Sequence, residues 1–378
     1  MDFDLTDAQR ALRDKASELA AREISPHAAA VDREQRFPRE AVAHLGKLGA
    51  LGISVPAAWG GLGLDAVAAS LVIEELASAC ASTAAVVGLH NFLVCEPLAH
   101  FGTDAQRKTW LRALASGSKL GSFALTEPDG ADADVLATVA QQEAGGWVLR
   151  GTKSFVTPSP YAQVALVIAG LRTGDHAGPA AFIVPTDALG VSFGPAYQTM
   201  GLRGALRSTM TLDDVRLPAG ALLGSEKAGP EILRFAREGG SVVAAALALG
   251  IGRAAFAAAT QYALSRRTNG QSISDHQTVQ FKIADMSTYL DAARLLTWRA
   301  AASRAGDGST GAQASMAKLI ASEAATRVAS DAVQILGGNG CLTDYPVERH
   351  FRDAKVCEIY EGASEIHRLG IASNLLKE

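Results

Sequence analysis

Close to its C-terminus the chain reads Glu358-Ile-Tyr-Glu361-Gly362-Ala363-Ser364-Glu365-Ile-His367-Arg368, with carboxylates, a tyrosine and an imidazole crowded into one short stretch. A carboxylate serves as a general base toward a weakly acidic C–H only where its surroundings raise its proton affinity. By spacing alone, Glu358, Glu361 and Glu365 could share one solvated helix face, the blander reading. Gly362, directly after Glu361, points instead to a break or to close backbone approach to a ligand. Upstream, Gln334-Ile-Leu-Gly337-Gly338-Asn339-Gly340 is followed by Tyr345-Pro-Val-Glu-Arg349 and by Arg352-Asp-Ala-Lys355, a density of specific polar groups typical of functional loops on a helical scaffold. A second candidate is Thr126-Glu-Pro-Asp-Gly-Ala-Asp-Ala-Asp134, which follows the apolar Phe123–Leu125 and reads as a loop leaving a strand. Such a loop can hold a ring or a phosphate, and a solvated acidic turn explains it equally well. Its aspartates lack the spacing of a calcium loop, so no metal is expected.

Two further glycine patterns, Gly61-x-Gly63-x-x-Ala66 and Gly250-x-Gly252-x-x-Ala255, satisfy a relaxed dinucleotide fingerprint. The first lacks an acidic residue about twenty positions on, and the second lies inside a helical period; turn and helix-packing roles are expected for them.

The elements that must position these residues fall into three runs. From Leu5 to about Ser116 apolar residues recur at three- and four-residue spacing, as in Ala66–Ala79, which predicts amphipathic helices with Pro26, Pro38, Pro56 and Pro97 marking breaks or first turns. Between Gly121 and Gly224 short β-branched runs such as Val164–Ile168 and Ala181–Val184 alternate with turns. After Gly229 long helical periods return, interrupted at Thr268–Gly270 and Gly306–Gly311. Helices, then strands, then helices indicate an α+β multidomain fold and not a doubly wound sheet.

The 378 residues allow two or three packed units, and 48% hydrophobic with 20% charged residues is globular composition. A net charge of −4 with no basic block gives no footprint for nucleic acid or for an anionic membrane surface. Cys80, Cys95, Cys341 and Cys357 form no zinc-type spacing. With an acidic N-terminus and no apolar run approaching the ~18 residues of a span, a cytoplasmic protein is expected; Val242–Ile251 reads as core helix.

Taken together the motifs resemble the acyl-CoA dehydrogenase family along essentially the whole chain. Phe123-Ala-Leu-Thr-Glu-Pro resembles its first signature, and Gly151-Thr-Lys-Ser-Phe-Val-Thr157 its G-x-K-x-W-I-T strand. Met200-Gly-Leu-Arg-Gly with Asp214-Val215 and Pro218, Tyr262-Ala-Leu-Ser-Arg-Arg-Thr-Asn-Gly, His276-Gln277, the Gln334–Gly340 run and Tyr360-Glu-Gly complete the set. The resemblance implies an N-terminal helical domain (1–118), a middle β-barrel-like domain (119–225) and a C-terminal four-helix bundle (226–378), assembled as a homodimer or homotetramer. It implies FAD, with Phe123, Leu125, Thr126, Phe155 and Thr157 around the isoalloxazine and Ala363 and Glu365 beside the cofactor. Arg266, Thr268 and Gln277, with Gln334 and Gly338 of a neighbouring subunit, would hold the pyrophosphate and adenosine. The implied chemistry is α,β-dehydrogenation of an acyl thioester, carried by CoA or a carrier protein. Glu361 takes the α-proton while hydride passes from the β-carbon to flavin N5, and an electron-transfer flavoprotein or similar acceptor reoxidises the flavin. Asp132, Ser241, Tyr360 and Gly362 are the matching substrate-side positions. An apolar pocket should raise the pKa of Glu361, and its backbone N–H should help stabilise the enolate.

The chain departs from the family pattern at Ala131-Asp132-Ala133 in place of G-S-D, Phe155 in place of tryptophan, Ala363 in place of threonine, Asn269 in place of phenylalanine and Ser241 in place of arginine. The alternative base position of some relatives falls near Gly240, which has no side chain to serve. These changes leave open a specialised thioester, a flavin oxidase on the same fold, or a scaffold that has lost catalysis. Glu96, on the helix expected from Thr83 to His100, is read either as a surface glutamate or as a partner for a polar acyl tail.

Overall fold

The first helix begins where Thr6 and Gln9 exchange side-chain and backbone hydrogen bonds in a capping box. A computed structural model describes residues 4–130, 135–173, 176–304 and 311–376. Its N-terminal part carries α1 (Asp7–Leu19), α2 (Ala28–Arg33), α3 (Arg39–Leu48), α4 (Ala66–Ala79), α5 (Ala81–Leu89), α6 (Glu96–Phe101), α7 (Asp104–Gln106) and α8 (Arg112–Ala115). A wide-turn segment, His90–Cys95, joins α5 to α6 without a break, so the helix expected over Thr83–His100 is continuous.

Strands β1 (Gly121–Ala124), β2 (Val139–Glu143), β3 (Gly146–Val156), β4 (Val164–Thr173), β5 (His176–Pro185), β6 (Val191–Phe193) and β7 (Ser208–Pro218) form one sheet in the order β1-β4-β2-β3-β7-β6, with β5 also on β4. The β1–β4 and β2–β4 pairs are parallel, and the other pairs are antiparallel. The register of β3 on β7 slips between Lys153 and Val156, which throws Phe155 out of the pleat at φ +56°.

The C-terminal part is α9 (Gly229–Ser265), α10 (Gln277–Ser303), α11 (Gly311–Leu336), α12 (Val347–Cys357) and α13 (Ser364–Leu375). The interruption expected at Thr268–Gly270 is a hairpin of β8 (Arg267–Thr268) and β9 (Gln271–Ser272), whose turn Asn269-Gly270 has both residues at positive φ, +50° and +83°. Asn-Gly is the pair that such a turn favours. Gly250 and Gly252 prove to be helix-packing glycines: a Cβ on Gly250 would sit 2.4 Å from Glu74 O and one on Gly252 2.7 Å from Leu290 Cδ2.

One apolar core joins the N-terminal helices to the C-terminal bundle, a second fills the sheet, and a third lies between the sheet and the α6–α8 region. Two helical segments, Ala81–Phe101 and Gly229–Ser265, are long and apolar enough to span a bilayer, contrary to the expectation of no such run. Their most apolar windows are 78% and 72% buried inside the protein, which is where core helices keep their apolar surface.

Candidate active site

Glu361 is not on a helix. α12 ends at Cys357, α13 starts at Ser364, and the turn between them carries Glu361 at φ +54° followed by Gly362 at +99°. The shared solvated face of Glu358, Glu361 and Glu365 therefore does not form. Left-handed backbone is costly for a residue with a Cβ, so the turn has to be held. Lys318 of α11, wholly buried, donates to the carbonyls of Glu358 at 2.9 Å and Gly362 at 2.5 Å. His367 of α13 donates from Nε2 to the carbonyl of Glu361 at 3.1 Å. The Glu358 side chain itself is turned to Lys355, at 2.6 Å.

The carboxylate of Glu361 lies against α9 at Gly240, where an added Cβ would meet Glu361 Oε2 at 2.2 Å. Gly240 is the space the base occupies, and it supplies no carboxylate of its own. Burial pushes the pKa of Glu361 up to about 7, against the opposing pull of Lys318, Arg237 and Arg207. The residue remains partly accessible, as a base that must meet a substrate requires. Gly240→Ala should displace this carboxylate and slow catalysis roughly tenfold or more; rapid-reaction kinetics on the folded variant check it.

Next to the turn, Leu89, Leu93 and Ala236 form a small apolar cluster flanked by Phe123 and Tyr360. Gly239, the neighbour of Gly240, faces the backbone of Phe92 and the guanidinium of Arg304, each 3.2 Å from where its Cβ would be. Arg304 pairs with Glu96 at 2.6 Å, both side chains at least nine-tenths buried. Glu96 is thus neither a surface residue nor unpaired; a buried carboxylate needs such a partner.

On the sheet side, Leu125 and Thr126 leave β1, and Thr126 O accepts from Ser154 N–H at 2.7 Å. Lys153, wholly buried, donates to Leu125 O at 3.0 Å and to Glu127 Oε1 at 2.7 Å. Glu127 also accepts from the N–H groups of Ala137 at 2.7 Å and Thr138 at 2.8 Å. Burial works against its charge, but these donors prevail and hold its pKa at about 2. Of the two readings open for this loop, a solvated acidic turn does not describe its first carboxylate, which anchors it. Asp132, with Ala131, lies outside the described residues.

Phe155 projects with 59% of its surface exposed, its ring centroid 5.0 Å from that of Tyr197, and Thr157 Oγ1 donates to Phe155 O at 3.3 Å. Separately, α13 starts without a side-chain cap at Ala363, and the hydroxyl of Ser364 is buried without a protein partner among the described residues. An exposed aromatic face and an uncapped helix N-terminus with a spare buried hydroxyl are the kinds of group that a flavin ring and its polar edge would use. Glu365, in that first turn, is exposed. Ser241 is buried and its hydroxyl is spent on Arg237 O at 2.9 Å. The α9 cation that acts on Glu361 is Arg237, one turn earlier than Ser241, alongside Lys318 and Arg207.

Arg266, Gln277, Gln334 and Gly338 are exposed, and Thr268 is half-buried. The Gln334–Gly340 segment packs by the end of α9, where Asn339 donates to Tyr262 Oη at 2.9 Å. Among the described residues no hydrogen bond or ion pair is shown between these residues and Glu361. Sequence reading missed Lys318, His367, Arg237, Arg207 and the anchoring role of Lys153. Lys318 left a signal: with Ala314, Ala317, Ala321 and Ala325 it occupies the buried stripe of α11.

Three family descriptions match in order: the acyl-CoA dehydrogenase N-terminal domain over residues 6–118, the middle domain over 122–215 and the C-terminal domain over 236–376. The chain is 41% identical to the mitochondrial short-chain specific acyl-CoA dehydrogenase of Sus scrofa, over 99% of this chain and 91% of that protein. Among solved structures, the butyryl-CoA dehydrogenase of Megasphaera elsdenii superposes with a TM-score of 0.96 at 35% identity, covering 100% of both chains. A chain from a structure described as the electron transferring flavoprotein of Acidaminococcus fermentans, in work on flavin-based electron bifurcation, gives 0.97 at 36% identity, again over 100% of both. With its full-length match and the geometry above, the chain belongs to the acyl-CoA dehydrogenase family, whose members are FAD-dependent oxidoreductases of acyl thioesters.

Proposed function

We propose that this protein dehydrogenates a short acyl thioester, with Glu361 removing the α-proton. The carrying observation is a carboxylate held in a strained turn, buried so that its pKa is about 7, beside a small apolar cluster. A thioester carbonyl acidifies its α-carbon, and a base with a pKa near the working pH combines ionisation with proton affinity. Bound FAD supplies the acceptor for the β-hydride. Leu89, Leu93 and Ala236 form the apolar cluster beside the turn, and Phe92 and Arg304 lie against Gly239 with Arg304 paired to Glu96. The short-chain and butyryl names of the relatives support a short acyl chain.

Leu125, Thr126, Phe155, Thr157, Ala363 and Ser364 are proposed to enclose the flavin ring, and Arg266, Thr268, Gln277, Gln334 and Gly338 its phosphate and adenosine end. The exposed apolar side chains of Ile359, Ile366 and Leu369 suit burial between copies of the chain, so a homodimer or homotetramer is proposed; light scattering of the purified protein tests it. An electron-transfer flavoprotein is the proposed acceptor and the cytoplasm the proposed location.

The ionised base is the active form, so flavin reduction should be slow below pH 7 and rise to a plateau above it, with a midpoint near the Glu361 value of about 7. Anaerobic rapid-mixing kinetics against pH measure this. A flat profile from pH 5.5 to 9 would count against Glu361 as the base.

A further inference from the structure

The turn that carries Glu361 has its backbone carbonyls tied from behind by two side chains outside the cleft wall. Lys318 reaches the carbonyls of Glu358 and Gly362 at 2.9 Å and 2.5 Å, one on either side of Glu361, and His367 takes the Glu361 carbonyl at 3.1 Å. An ammonium with no exposed surface, in a stripe of alanines, is expensive to keep unless its hydrogen bonds matter. Here those bonds stabilise a conformation, φ +54° at Glu361 and +99° at Gly362, that the sequence would not adopt unaided. The spacing of the two carbonyls fixes where the carboxylate projects, against Gly240.

We propose that Lys318 is the positioning residue of the proton-abstracting turn, clamping the carbonyls on both sides of Glu361 and favouring, by its charge, the ionised carboxylate. This rests on Glu361 being the base. The charged and titratable groups around the pair come from every neighbouring element. Lys318 faces Cys357, Glu358, Glu361 and Glu323, while Glu361 faces Lys318, Arg237 of α9 and Arg207 near the start of β7. Tyr360 adjoins Glu361 and Arg207, and His367 feels Lys318. Burial lowers the pKa of Lys318 to about 8, above that of Glu361, so cation and carboxylate coexist between them. Lys318 is the first of the three cations that hold the Glu361 value down.

The test compares wild type, Lys318→Met, Lys318→Gln and Glu361→Gln as purified flavoproteins. Two quantities are measured across pH: the rate of flavin reduction by butyryl-CoA, and the Kd of a non-oxidisable thioether analogue of that substrate. Lys318→Met should lower the plateau rate by about tenfold or more, since small misplacements of a reacting group have effects of that order, while the plateau Kd stays within about threefold. Both Lys318 variants should move the acid limb to higher pH by on the order of one unit, because a nearby cation no longer favours the carboxylate. Should Lys318→Met not accumulate as a flavoprotein, the limb of Lys318→Gln decides. A Lys318→Met protein with the wild-type plateau and limb overturns the proposal, as does an unmoved limb in Lys318→Gln. If Glu361→Gln reduces flavin at the wild-type rate, the base assignment itself fails and the clamp with it. If Glu361→Gln is inactive and the lysine variants are normal, only the clamp is wrong.

Discussion

Glu361→Gln should leave flavin bound and slow its reduction by an acyl thioester by about 10²–10⁴-fold, the usual worth of a positioned general base. The substitution keeps the size of the side chain and its fit against Gly240. It also leaves untouched the backbone N–H of residue 361 and the bonds from Lys318 and His367, because those bonds go to carbonyl groups. What is lost is the lone pair that accepts the proton. Substrate affinity should change little, so the loss appears in the reduction rate and not in the Kd. Rapid mixing with butyryl-CoA under anaerobic conditions separates the two.

The second large effect is expected far from the reacting atoms. Lys153→Met removes a wholly buried cation from Glu127 and from Leu125 O, and should destabilise the protein by about 3–5 kcal/mol, as breaking one side of a buried pair does. Glu127 keeps its two backbone donors, at Ala137 and Thr138, so the β1 loop loosens without losing its second anchor. Because Lys153 also holds Leu125 O, on the stretch assigned to the flavin ring, the variant should lose flavin more readily on dilution. Urea unfolding and flavin content measure the two consequences. The pH dependence follows from the depressed pKa of Glu127, about 2 against an ordinary 4.5. Its stabilising contribution is complete above about pH 4.5 and is lost as pH falls toward 2. Lys153→Met should therefore narrow the stability difference between pH 6 and pH 3.

Much of this arrangement was legible in the residues. Apolar spacing gave the helix, strand, helix order, and the motifs around Thr126, Thr157 and Tyr360-Glu361-Gly362 gave the family, the cofactor and the fold. Gly362 was the residue that separated a turn from a helix face, and the turn is there. The supporting groups were harder to read because their roles come from tertiary contact. A lysine among alanines looks like a solvated break in a helix until α11 packs behind the Glu361 turn. Glu96 and Arg304 lie 208 positions apart and become a buried pair only when α6 meets the end of α10. The sequence left open whether the Glu127 loop was solvated, because the strand that brings Lys153 to it comes later in the chain. Ser241 looked like a lost contact, whereas helical geometry puts Arg237, one turn away, near the same carboxylate. The apolar character of α5–α6, and of α9 beyond Val242–Ile251, was hard to read because scattered polar residues, such as Asn91 and Ser241, interrupt it.

The most direct test of the account is an anaerobic absorbance titration of the purified protein with butyryl-CoA. Stoichiometric loss of the oxidised flavin band is the expected result; a bound flavin left unchanged by that and by every other acyl thioester, free or carrier-bound, would contradict it.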